Sequence, residues 1–133
     1  MNLYGNKGRK MIMEKDDYDV IVYKVLLYYY ACLKRQIFFD KAVFFQMIDK
    51  DNINDEYFTD ILLMMQDDGL IKGIRVTKAW GGDSILLSDL DEIKITTDGI
   101  HYLKENSTMN KVKNVLLKTV DMTSKLIGIM KLI

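Results

Sequence analysis

The chain has 133 residues, 49% of them hydrophobic, with 19 basic and 19 acidic side chains and a formal net charge of zero. That length suits one domain, or one small domain with an accessory helix, and supplies a modest core that a partner subunit would help to cover. Zero net charge removes the overall basic character that marks many nucleic-acid binders, while one cysteine and one histidine exclude an internal disulfide and a zinc site of the usual His/Cys kind.

Residues 1–15 read as a flexible basic leader, with Lys7, Arg9, Lys10 and Lys15 against Glu14. A basic arm for nucleic acid is the competing reading. The segment lacks the apolar centre of a signal peptide, and no stretch reaches the roughly 20 apolar residues of a membrane span. A reducing cytoplasm is the expected setting, with no membrane partner and no cofactor.

A helix is predicted from Asp16 or Asp17 to Arg35. At 100° per residue, Tyr18, Ile21, Val22, Val25, Tyr29, Cys32 and Leu33 gather on one side. The opposite side holds Val20, Tyr23, Leu27 and Tyr30, so both faces need cover. Cys32 is expected as a small buried hydrophobe. A second helix begins after Asp40, a good N-cap, and carries Phe44, Met47 and Ile48. Lys50-Asp51-Asn52 breaks it with turn chemistry. A third helix follows Asn54, buries Phe58, Ile61, Leu62 and Met65, and stops at Gly69.

The period then changes. Ile74 and Val76 alternate with Arg75 and Thr77, and Ile93 and Ile95 flank Lys94. Trp80 to Ser84 is a turn cluster, and the whole of 70–96 reads as one β-hairpin of uncertain tip. Thr96 ends the strand and caps a helix that packs Ile100 and Leu103, while Gly99 lets backbones approach closely.

Three helices followed by a two-stranded wing is the winged helix-turn-helix arrangement, an α+β fold. The segments DDGLIKGI (67–74) and ITTDGIHYLKEN (95–106) resemble those of MarR-like and PadR-like regulators. They are more similar to the YjcQ family of small bacterial and prophage-encoded proteins. The matching positions are Gly69, Leu70, Ile71, Lys72 and Gly73, then Ile95, Thr96, Gly99, Tyr102, Leu103, Glu105, Asn106 and Ser107. The likeness covers roughly residues 16–125 and implies a winged helix. It implies little about function, because that family has no established activity. The expected division is a leader over 1–15, a winged-helix domain over 16–106 and a C-terminal amphipathic helix over 107–133.

That last helix is capped by Ser107 and gathers Met109, Val112, Val115, Leu116, Met122, Leu126, Ile127, Met130 and Ile133 in one arc. Such a stripe cannot stand free in water. Residues 104–133 hold six lysines against Glu105 and Asp121. The lysines are spread along the helix rather than clustered, which disfavours a membrane surface. The economical cover is the back of the first helix, within one chain or between two, and a symmetric homodimer is the expectation. Tyr23, Leu27, Tyr30, Val112, Leu116, Leu126, Met130 and Ile133 are the candidate interface residues.

Function divides between two partners. The fold makes a DNA-binding transcriptional regulator the leading expectation, with the third helix in the major groove. The residues oppose it: 49–69 hold seven acids against Lys50 alone, and Glu56, Asp60 and Asp67 lie opposite the buried stripe. Thr59 and Gln66 are the side chains left to reach a base. Lys72, Arg75, Lys78 and Trp80 offer a basic wing with an aromatic tip for a minor groove or single strand. The bland alternative packs Trp80 on the body and leaves the cations solvated. A protein-interaction module using the acidic third helix or the C-terminal helix is the other reading. No enzyme is expected. His101 stands alone with Glu105 four residues on, and the carboxylate runs lack the spacing of a calcium loop.

Overall fold

The computed structural model describes residues 17–119 and 125–133. The basic leader, Asp16 and the middle of the C-terminal stripe, Met122 included, lie outside the described residues.

The first helix, α1, spans Asp17–Leu33. It ends before Arg35, which takes a left-handed backbone at φ 62°. The Arg35 guanidinium donates back to the carbonyls of Cys32 and Leu33 at the helix end, the first of which also accepts from the Arg35 amide. Both faces of α1 are covered. Val22, Val25, Leu26 and Tyr29 are buried, and so are Val20, Tyr23 and Leu27 on the back.

Helix α2 (Lys41–Ile48) starts where Asp40 Oδ1 accepts from the amides of Ala42 and Val43 at 2.9 and 3.2 Å. Tyr28 anchors that cap from α1, because its hydroxyl accepts from the Asp40 amide at 3.0 Å. Tyr28, Tyr29, Phe39 and Phe44 form an aromatic cluster, with ring centroids 5.0–6.3 Å apart. A 3-10 turn at Lys50–Asn52 leads to α3 (Asp55–Asp67), capped by Asn54 onto the Tyr57 amide. Phe58, Ile61, Leu62 and Met65 are buried as expected. Gly69 ends the helix with φ 79°.

The single expected hairpin is two separate ladders. Strand β1 (Ile71–Lys72) pairs antiparallel with β4 (Lys94–Ile95), in the register Ile71 to Ile95. Strand β2 (Val76–Lys78) pairs with β3 (Ser84–Leu86), in the register Thr77 to Ile85. Gly73 breaks the outgoing strand with φ 98°, where a Cβ would meet the Glu92 carbonyl at 2.8 Å. On the return, Asp89 and Glu92 form a capping box around a 3-10 turn at Leu90–Glu92. Ser88 stitches the break, donating to the Gly73 carbonyl at 2.8 Å and accepting from the Arg75 amide. Tyr29 ties this region to α1 by donating to the Leu90 carbonyl at 2.7 Å.

Helix α4 (Thr97–Glu105) is capped by Thr96, whose hydroxyl accepts from the Gly99 amide at 2.9 Å and donates to the Gly69 carbonyl. The described residues of the C-terminal stripe hold α5 (Ser107–Thr119) and α6 (Lys125–Leu132). The cap of α5 is Asn106 and not Ser107. Asn106 Oδ1 accepts from the amides of Thr108 and Met109 at 2.9 and 3.1 Å, which puts Ser107 inside the first turn. Both helices pack on α1. The result is a winged helix whose central helix is closed on its back by the chain's own C-terminus. Among the described residues no helix is long and apolar enough to cross a membrane.

Candidate functional site

Helix α3 is where a winged helix usually meets DNA, and its buried stripe fixes what it shows outward. Glu56, Asp60, Met64, Asp67 and Asp68 are exposed. Lys50, the one cation in 49–69, is held by Asp55 in an ion pair. That pair keeps the Asp55 carboxyl below the usual range, first through the hydrogen bond from Lys50 and then through its charge.

The two side chains expected to reach bases do not. Thr59 is 8% exposed and belongs to the packed side of the helix. Gln66 is a clamp. Its Oε1 accepts from the Ile74 amide at 2.8 Å and its Nε2 donates to the Ile74 carbonyl at 3.2 Å. Its amide thus replaces the strand partner that Ile74 lacks between the two ladders.

The acidic face extends beyond α3. Tyr18 and Tyr102 have their phenol pKa raised, first by burial and then by nearby charges that include Asp68 and Asp19. Tyr57 is raised by burial and by Asp17 and Asp19 at the start of α1. Three tyrosines therefore stand among carboxylates from two helices. Asp17 and Asp19 lie in the first turn of α1, and their approach to Tyr57 of α3 comes from the packing of the helices, which no local sequence pattern announces.

On the wing, strand alternation separates the candidate cations. Arg75 and Thr77 share the outer face with Ile85 and Leu87, while Lys78 lies on the face of Val76 and Leu86. Arg75 is paired with Glu92 at 3.1 Å. Lys78 reaches toward the Gly82 carbonyl and the Ser84 hydroxyl, each at 3.4 Å. Lys72 is exposed on β1, across from Lys94. Trp80 does not pack on the body. It is 101% exposed at the tip, held out by Gly81 and Gly82 at φ 88° and 91°. Ile85 and Leu87, half-exposed beside Arg75, were not singled out from the sequence.

The residues expected at a dimer interface lie inside one chain. Tyr23, Leu27, Val112, Leu116, Leu126 and Met130 are all buried, and Tyr30 and Ile133 are partly so. The Lys104 ammonium lies 5.9 Å from the Tyr30 ring centroid. Within the one chain they pack among α1, α5 and α6. His101 and Glu105 meet at 3.1 Å on the surface of α4. Cys32 is half-buried, and burial pushes its thiol pKa up. No group of three potential metal ligands occurs among the described residues.

No curated protein and no solved structure matches the chain. A family model described as YjcQ protein matches residues 23–133, from within α1 through the wing and both C-terminal helices, and the chain belongs to the YjcQ family.

Proposed function

We propose that this chain is a non-enzymatic, cytoplasmic binding protein whose third helix docks a basic surface of another protein. One observation carries the reading: the face of α3 turned outward is Glu56, Asp60, Met64, Asp67 and Asp68. Phosphate oxygens and carboxylates repel, so this face opposes the major groove. Lysine- or arginine-rich protein surfaces are what it attracts, and such steering raises association rates more than it deepens affinity. Met64, 49% exposed, adds an apolar contact within the acidic rim.

A second reading keeps the regulator expected from the fold, with nucleic acid held by the wing alone. The full exposure of Trp80 at the tip favours it, with Lys72 and Lys78 as phosphate contacts. The paired Arg75 and the division of cations between two faces weigh against it.

Fluorescence anisotropy separates the two. A labelled oligolysine should bind at about 50 mM salt and weaken at about 200 mM. The same probe should lose most of its affinity for the triple variant Glu56→Gln, Asp60→Asn, Asp67→Asn. Labelled random-sequence duplex DNA should not bind at either salt concentration. DNA binding at low salt that collapses at high salt, and that is lost in Lys78→Ala or Trp80→Ala, would replace the proposal with the wing reading.

A further inference from the structure

A cleft of about 610 Å³ lies between α3 and the base of the wing. Its lining is mixed, and the apolar part is Phe45 from α2, Phe58 from α3, Leu86 from β3, Leu90 from the 3-10 turn, and Phe39. That volume has room for a bulky side chain and lies in the ordinary range of ligand clefts. One polar group within it is unspent. Thr59 lines the cleft, is only 8% exposed, and its hydroxyl makes no hydrogen bond among the described residues. Ser88, also in the lining, is by contrast used by Gly73 and Arg75. The Thr59 hydroxyl is not an unsatisfied buried atom; it keeps its contact with solvent in the open cleft and can bond an arriving polar group.

The rim says what should arrive. Asp89 and Asp91 stand on the wing side and Asp55 on the α3 side, while Glu56 and Asp60 are exposed elsewhere on α3, outside the lining. Two lysines also border the cleft. The Lys50 ammonium is neutralised by Asp55 and lies 5.7 and 5.5 Å from the ring centroids of Phe45 and Phe58. Lys41 lies 5.5 Å from the Phe45 centroid at the α2 end. Both show these ring faces accepting a cation from above. With Asp55 spent on Lys50, the carboxylates left to the cleft are Asp89 and Asp91, and together with the Phe and Leu side chains they complement a basic segment that carries one large apolar residue.

We propose that this cleft receives an aromatic or large aliphatic side chain from a lysine- or arginine-rich segment of the protein that docks on α3. The proposal rests on the docking reading and adds the anchor and its pocket. In it, the anchor fills the space between Phe58 and Leu86. The Thr59 hydroxyl bonds a polar group of the incoming segment. The flanking cations face Asp89 and Asp91 at the cleft and, outside it, Glu56 and Asp60 on α3. Anchors of this type carry most of the affinity of an interface while the rim supplies selection.

Two labelled Lys/Arg peptides, identical except for a central Phe or Ala, test it by anisotropy at about 50 mM salt. The Phe peptide should bind about tenfold more tightly to the wild-type chain. Thr59→Leu, whose added bulk enters the cleft, should erase that preference. Asp91→Lys, a surface change that spares the fold, should weaken the Phe peptide. Amide shifts on adding it should centre on Phe45, Phe58, Leu86 and Leu90. Equal binding of both peptides, still lost in the α3 triple variant, would overturn the cleft and leave α3 docking intact. A Phe preference whose shifts centre elsewhere would overturn the cleft alone. No binding of either peptide would overturn both readings.

Discussion

Gly99 shows how far a single residue can be read in advance. A glycine in the first turn of a helix costs helix propensity, which pointed to a close backbone approach. A Cβ there would lie 2.2 Å from the Leu70 carbonyl oxygen and 2.8 Å from Ile95 Cγ1. Main chain cannot yield as a side-chain tip does, so Gly99→Ala should cost about 3 kcal/mol of stability in urea unfolding. Gly128 is the control: nothing lies within 4 Å of its missing Cβ, so Gly128→Ala in α6 should stabilise by about 0.5–1 kcal/mol.

The tyrosines of α1 were legible as apolar bulk but not as titrating groups. Burial pushes the Tyr23 phenol up to about 12, and Tyr29 is raised further. In the unfolded chain both would titrate near the ordinary value of about 10. A folded pKa above the unfolded one means that the native state holds its proton longer. The associated stability is whole below about pH 10 and is lost as pH rises through the folded values. The urea midpoint of the wild-type chain should therefore fall between about pH 10 and 12, and the double variant Tyr23→Phe, Tyr29→Phe should flatten that limb. At neutral pH the two sites should differ. Tyr29→Phe leaves the Leu90 carbonyl without its donor and should cost about 1–2 kcal/mol, whereas Tyr23→Phe breaks no such bond.

At the scale of elements, periodicity and caps carried most of the reading. Asp40, Asn54 and Thr96 each cap the helix assigned to them, and the stripe of α3 is buried as spaced. The wing was harder because its interruption is tertiary. The turn at Leu90–Glu92 is held by its own capping box and by Tyr29 from α1, a partner 61 residues away that no local pattern announces. Ser107 as a cap failed for a narrower reason: Asn106, adjacent to it, ends α4 through its backbone N–H on the Tyr102 carbonyl and starts α5 through its side chain. Gln66 failed as a base reader because the wing needed its amide.

The wing tip carries its own prediction. Trp80 is the chain's one tryptophan and is fully exposed, so the emission of the folded protein should match that of a hydrated indole and be quenched freely by iodide. Trp80→Ala should leave stability within about 0.5 kcal/mol. Emission shielded from iodide in the folded chain would show the ring packed on the body or on a second copy.

Across the whole molecule, the choice lies between a chain that closes its own core and one that borrows a partner. The sequence showed two apolar surfaces, the back of α1 and the C-terminal stripe, and left their relation open. The structure joins them within one chain: Tyr23 and Leu27 border a small cavity with Leu103, Met130 and Ile133, and α5 and α6 pack on α1. This has a thermodynamic signature. If α5 and α6 met α1 of another copy, unfolding would release subunits and the melting temperature would rise with concentration. Closed within the chain, the same contacts give a melting temperature independent of concentration. The full chain should therefore melt at one temperature over a hundredfold range of concentration. Truncation after Asn106 should uncover the back of α1, with dye binding to exposed apolar surface or aggregation as the readout. A melting temperature that climbs with concentration would return the C-terminal helices to the role of a dimer interface. It would also place the acidic face of α3 on an assembly of at least two copies.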